Sequence, residues 1–127
     1  MIKVFIEHLI EFIDDILLIF PDNREVKKLK NFIVGFSKIN PKAIALSWKY
    51  YITDKYQDHI HKNDDDIIDF ICNKNYSGDL TDVDDFSKDL VNNFISKMKT
   101  PIRCLNKHNK KKTVQYLKNL MELSKLV

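Results

Sequence analysis

A chain of 127 residues, 44% hydrophobic and 31% charged with two glycines and three prolines, can bury a core without staples and is poor in the turn residues of a strand-rich fold. Cys72 and Cys104 are too few for a disulfide framework and are expected to be reduced thiols behaving as small hydrophobes. The net charge of +3 rests on lysine, since Arg24 and Arg103 are the only arginines, which argues against bidentate reading of guanine or phosphate.

Ile2, Phe5, Ile6, Leu9, Ile10, Ile13, Ile16, Leu17 and Phe20 recur at steps of three and four and predict a first helix with a wide buried stripe. Glu7, His8, Glu11, Asp14 and Asp15 interrupt it, so neither a signal peptide nor a membrane span is expected. Phe20-Pro21-Asp22-Asn23 ends this helix, because the residue before proline is pushed out of the α region. A second helix is expected from near Asn23, using Val26, Leu29, Phe32, Ile33 and Phe36.

Asn40-Pro41 is a strong start signal: Asn40 caps, and Pro41 suits the first helical position, where a missing amide does no harm. The third helix is predicted to run through Ile44, Trp48, Tyr51, Ile52 and Tyr56 to about His61, with Tyr50 on another face. Asn63 or Asp64 then caps a short helix ending near Cys72, and residues 73–79 form a loop. Thr81 and Asp84 resemble a capping box before a helix carrying Val83, Phe86, Leu90, Phe94, Ile95 and Met98. Thr100-Pro101 is expected to restart the chain and residues 106–109 to break it. Val114, Leu117, Leu120, Met121 and Leu123 describe a last amphipathic helix. The prediction is one all-α domain over 1–127, a compact bundle of five to six helices without internal repeats.

Charge is divided by position. Residues 54–89 hold 11 Asp against 4 Lys, whereas residues 97–127 hold 9 Lys and Arg against the single Glu122. Such a bipolar chain can pair head to tail or orient near a polyanion, although long charged faces are ordinarily solvated surface.

Four groups of residues could carry a site. Residues 73–84 resemble the calcium loop of the EF-hand family, with Asn73, Asn75, Ser77, Asp79, Thr81 and Asp84 in ligand positions, Gly78 sixth and Leu80 eighth. Asn73 and Asp84 depart from the Asp and bidentate Glu that usually open and close that loop, and a turn followed by an N-cap accounts for the same residues. His59, His61, Cys72, Cys104 and His108 are possible soft ligands, with Cys104 and His108 spaced to share a helical face, but capping or surface roles explain them better. Asp64, Asp65 and Asp66 suit a helix start better than a magnesium site. Lys107, Lys110, Lys111, Lys112 and Lys118, with Tyr116 among them, form the basic cluster. It lies at a predicted helix start, where lysine opposes the helix dipole, which suits contact with phosphate or with the acidic middle of another copy, solvated surface being the ordinary alternative. No phosphate-binding glycine loop or nucleophile elbow is present, and neither cofactor nor catalysis is expected.

Phe20-Pro21-Asp22, Asn40-Pro41, Trp48 with Tyr56, and the Asp-rich stretch from Ile60 to Phe70 resemble short uncharacterised helical proteins of nucleocytoplasmic large DNA viruses of the mimivirus kind, over about residues 5–70. The heavy use of Lys, Asn, Ile and Asp is similar to the product of an AT-rich genome. The resemblance implies a viral protein of the infected cell's cytoplasm or the virion and carries over no functional residue. The expected function is a non-enzymatic interaction or assembly protein that self-associates, as a homodimer or larger homo-oligomer. The alternatives are sequence-independent nucleic-acid binding through the C-terminal lysines and a helical decoy of host signalling proteins.

Overall fold

The computed structural model describes residues 1–54, 68 and 85–127. Within them lie five α-helices: α1 (Ile2–Ile19), α2 (Arg24–Ser37), α3 (Pro41–Trp48), α4 (Asp85–Arg103) and α5 (Lys107–Lys125). No strand occurs among the described residues, so the chain is an all-α bundle. No described helix is long and apolar enough to cross a membrane.

Three asparagines set helix starts by accepting a backbone N–H three residues on. Asn23 accepts from Val26 at 3.1 Å, Asn40 from Ala43 at 3.2 Å and Asn106 from Asn109 at 2.8 Å. Each satisfies one of the amides a helix start leaves without a partner, a contribution of about 1 kcal/mol. Pro41 stands in the first turn of α3, as its fixed φ favours.

α1 packs against α2, α3 and α5, and α4 packs against α2 and α3. The core joins them through rings. Trp48 lies edge-on to Phe5 at 6.1 Å and to Phe94 at 5.2 Å, and Phe12 touches Phe94 at 6.5 Å and Tyr116 at 5.2 Å. Phe12, absent from the stripe read off the sequence, is wholly buried. It follows Phe5 and Leu9 at helical spacing and points between α4 and α5.

Four expectations need correction. The third helix does not continue as regular α: Lys49–Thr53 is a π-helical turn, in which the N–H of Asp54 reaches back five residues to the Lys49 carbonyl. The wider turn buries Tyr51, Ile52 and Thr53 in succession, which an α-helix would splay apart, and leaves Tyr50 exposed as the pattern predicted. Secondly, Pro101 does not restart the chain but sits inside α4. An internal proline costs about 3 kcal/mol, and the burial of Ile102 and Leu105 just beyond it, at about 1.5–3 kcal/mol each, offsets that. Thirdly, Phe32 is 39% exposed rather than core, because α2 buries only the narrower stripe Val26, Leu29 and Ile33; Phe32 stacks instead on Phe36 at 6.0 Å. Finally, Cys104 is an exposed free thiol, not a small core hydrophobe. The chain leaves α4 there before Asn106 caps α5, so Cys104 and His108 share no helical face.

The capping box at Thr81 and Asp84, the short helix near residues 63–72 apart from the buried, helical Ile68, and Tyr56 lie outside the described residues.

Among the described residues, two ion pairs tie α2 to its neighbours. Lys30 reaches Asp14 of α1 at 2.7 Å, and Lys97 of α4 pairs with Glu25. The hydrogen bond and charge of Lys97, helped by Lys28, hold the Glu25 carboxyl below its ordinary value.

Candidate functional site

α1 and α5 run antiparallel, so that His8 stands beside Tyr116 and the Leu18–Ile19 end of α1 meets the Asn109–Lys112 start of α5. Between them lies an open cleft of about 160 Å³ with an apolar floor of Phe12, Ile16 and Thr113. Comparison with cavities of about 150 Å³ that take benzene makes it large enough for one side chain or small ring. Asp15 and Tyr116 close one side, Lys112 and Asn109 stand at another, and Leu18 and Ile19 form the lip, 80% and 39% exposed.

The cleft wall is a polar cluster that periodicity did not reveal. The Tyr116 hydroxyl donates to the Asp15 carboxylate and lies 3.4 Å from a Glu11 oxygen. Burial, then the hydrogen bond to Asp15 and the charges of Asp15 and Glu11, push the phenol well above the ordinary tyrosine value. Tyr116 is therefore a hydrogen-bond donor and not a base. His8 lies against its ring at 5.0 Å, with Nδ1 3.9 Å from Glu11 and a buried Nε2 that has no hydrogen-bond partner among the described residues. His8, Glu11 and Asp15 follow at steps of three and four, so the spacing that shaped the apolar stripe also aligned them. The missing information was which helix they would meet.

Of the basic cluster, Lys107, Lys111 and Lys118 are exposed and, at spacings of four and seven, share one stripe of α5. Lys110 is half-buried on the flank, and Lys112 turns to the cleft. The five lysines thus do not form one surface. Tyr116, which sequence places among them, is packed on Phe12 and bonded to Asp15, so its ring is unavailable to stack on a base. Antiparallel packing also softens the conflict between these lysines and their own helix dipole. It sets them beside the negative end of α1 and its Asp15. Even so, Lys107, Lys110, Lys111 and Lys112 form no ion pair among the described residues.

Asn73, Asn75, Ser77, Asp79, Thr81 and Asp84 of the calcium-loop pattern lie outside the described residues, as do His59, His61, Cys72 and Asp64–Asp66. Among the described residues, no three His, Cys, Asp or Glu side chains are placed to hold a metal ion. No protein-family model, curated protein or solved structure matches the chain.

Proposed function

We propose that this chain is a non-enzymatic interaction and assembly protein that associates with copies of itself, in the infected-cell cytoplasm or the virion that the giant-virus resemblance implies. One observation carries the reading. At a single end of the bundle, exposed Leu18 and Ile19 border an open apolar cleft that Lys112 lines, and Lys112 shares the start of α5 with Lys107, Lys110 and Lys111, none of the four in an ion pair among the described residues. Exposed apolar side chains rimmed by charge are the anatomy of an interface, and covering one large side chain is worth about 1.5–3 kcal/mol. Specificity then comes from the lysines, which need an anionic counterpart.

The same lysines support a second reading, sequence-independent binding of nucleic acid, since cations at the positive end of a helix suit phosphate. Light scattering coupled to size exclusion, on nuclease-treated protein over a range of concentration and salt, separates the two. A mass that rises with concentration, with an ultraviolet spectrum free of nucleic acid, supports assembly. A monomer that carries polyanion until salt strips it refutes assembly and supports the second reading. A clean monomer at every concentration refutes assembly, and one that also fails to bind an added oligonucleotide at low salt refutes the second reading.

A further inference from the structure

Resting on the self-association reading, we infer that two copies join through their α1–α5 faces about a two-fold axis parallel to the two helices, so that α1 of each lies on α5 of the other. The outer strip of α1 is acidic with apolar ends: Val4, Glu11 and Leu18 follow at intervals of seven, with Glu7 and Asp15 beside them. Val4, Glu7, Glu11 and Leu18 are exposed and Asp15 is half-buried. Across the cleft, the outer strip of α5 presents Lys112, Gln115 and Asn119, with Lys111 alongside, and its one acid, Glu122, pairs with Lys125 at 3.0 Å. One face of the bundle therefore carries a negative helix next to a neutral-to-positive one.

Symmetry turns that juxtaposition into self-complementarity. Rotation by half a turn about an axis along the helices exchanges the two strips while keeping every residue at its own height. Asp15 and Lys112 line the same cleft, and Asp15 bonds Tyr116, one turn along α5 from Lys112, so the two stand within about a turn of each other in height. Asp15 of each copy then meets Lys112 of the other, and Leu18 of each seats over the other's cleft mouth near Asn109. The carboxylate oxygen that Tyr116 leaves open on Asp15 is the acceptor. The alternative axis, lying across the helices, would lay α1 on α1 and set Glu7, Glu11 and Asp15 against their own copies. Charge repulsion selects against it. Stacked the favoured way, α1 and α5 of different copies also run antiparallel, as their dipoles prefer.

The size of the face sets the strength. Two helices about 27 Å long and about 10 Å apart offer roughly 500 Å² per copy, the low end for a specific interface. The dimer is accordingly one that dissociates on dilution and weakens with salt.

The test is sedimentation equilibrium of the whole chain with three variants: Leu18→Glu, Lys112→Glu, and the charge exchange Asp15→Lys with Lys112→Glu. Thermal melting checks that each stays folded, and Tyr50→Glu, on an exposed residue of another face, is the control. Leu18→Glu and Lys112→Glu should each raise the dissociation constant roughly tenfold or more, because a symmetric interface meets every change twice. The charge exchange should recover part of that loss and Tyr50→Glu should change nothing. A wild-type dimer that Leu18→Glu and Lys112→Glu leave intact overturns this interface while the assembly reading stands. A wild-type monomer overturns the assembly reading and this one with it.

Discussion

Thr53 and Ser124 offer a sharp test of how the π-helical turn is fastened to the last helix. Their hydroxyl oxygens are 2.7 Å apart, both residues are 0% exposed, and Ser124 also donates to the Met121 carbonyl at 2.7 Å. A hydroxyl has one proton, so with that of Ser124 directed to Met121, Thr53 must be the donor in the pair. The two truncations are therefore unequal. Ser124→Ala strands a buried donor on Thr53 and should cost about 1–3 kcal/mol, whereas Thr53→Val, which keeps the shape and leaves Ser124 bonded to Met121, should cost about 0.5–1.5 kcal/mol. The double variant has no stranded group and should fall short of the sum by about 1 kcal/mol. Urea unfolding followed by circular dichroism reads this as shifts in midpoint at constant slope, and thermal melting reads it at roughly 4 °C per kcal/mol. Strict additivity, or a larger loss from Thr53→Val than from Ser124→Ala, would refute the donor assignment and the idea that the π turn is held through it.

Phe12→Ala should destabilise by about 3–5 kcal/mol in the same assay, because Phe12 is fully buried between Phe94 and Tyr116, while Phe32→Ala should cost about 1 kcal/mol or less. Tyr116 should stay protonated in the folded chain well past the ordinary tyrosine range. Its stabilising effect is complete below the unfolded phenol's value and is lost as pH rises toward the folded one, so an ultraviolet titration should show its tyrosinate only on alkaline unfolding. Tyr116→Phe should remove that late step and leave the stacking on Phe12. For Glu25 the sign is opposite: its carboxyl is held low, so the stability it adds is present above the unfolded carboxylate value and lost as pH falls through the folded one. Lys97→Met should raise the Glu25 value in a carboxyl-resolved NMR titration, and an unchanged value would show that the pair does not persist in solution.

Much of the bundle was legible because helix burial repeats every three or four residues and asparagine caps act locally. The starts at Asn23 and Asn40, the outward Tyr50 and the apolar stripe of α5 all follow from residues within one turn of each other. What periodicity could not supply was the identity of neighbours. Phe32 sits on a plausible stripe but is 39% exposed, with no described helix covering it, and Pro101 looks like a stop until the burial of Ile102 and Leu105 is weighed against it. The π turn leaves no composition signal, since its cause is the burial of three successive residues against elements distant in sequence. The lysines are read directly from the sequence, but their division between a solvent stripe and the cleft depended on where α1 lay. The cleft itself was beyond reach for the same reason: His8, Glu11 and Asp15 acquire meaning only beside Tyr116.

The pairing of α1 with α5 also sets the order of events while the chain is being made. Tyr116 is 105 positions from Glu11 and 101 from Asp15. At synthesis rates of about 5–20 residues per second, α1 leaves the ribosome roughly 5–20 s before the helix that completes its surroundings. α2 and α3 arrive early enough to shelter part of its apolar face, but the side of Phe12 that rests on Tyr116 has no cover until the last helix emerges. Over that interval this flank of α1 stays open to whatever waits at the tunnel exit, a chaperone or another nascent copy.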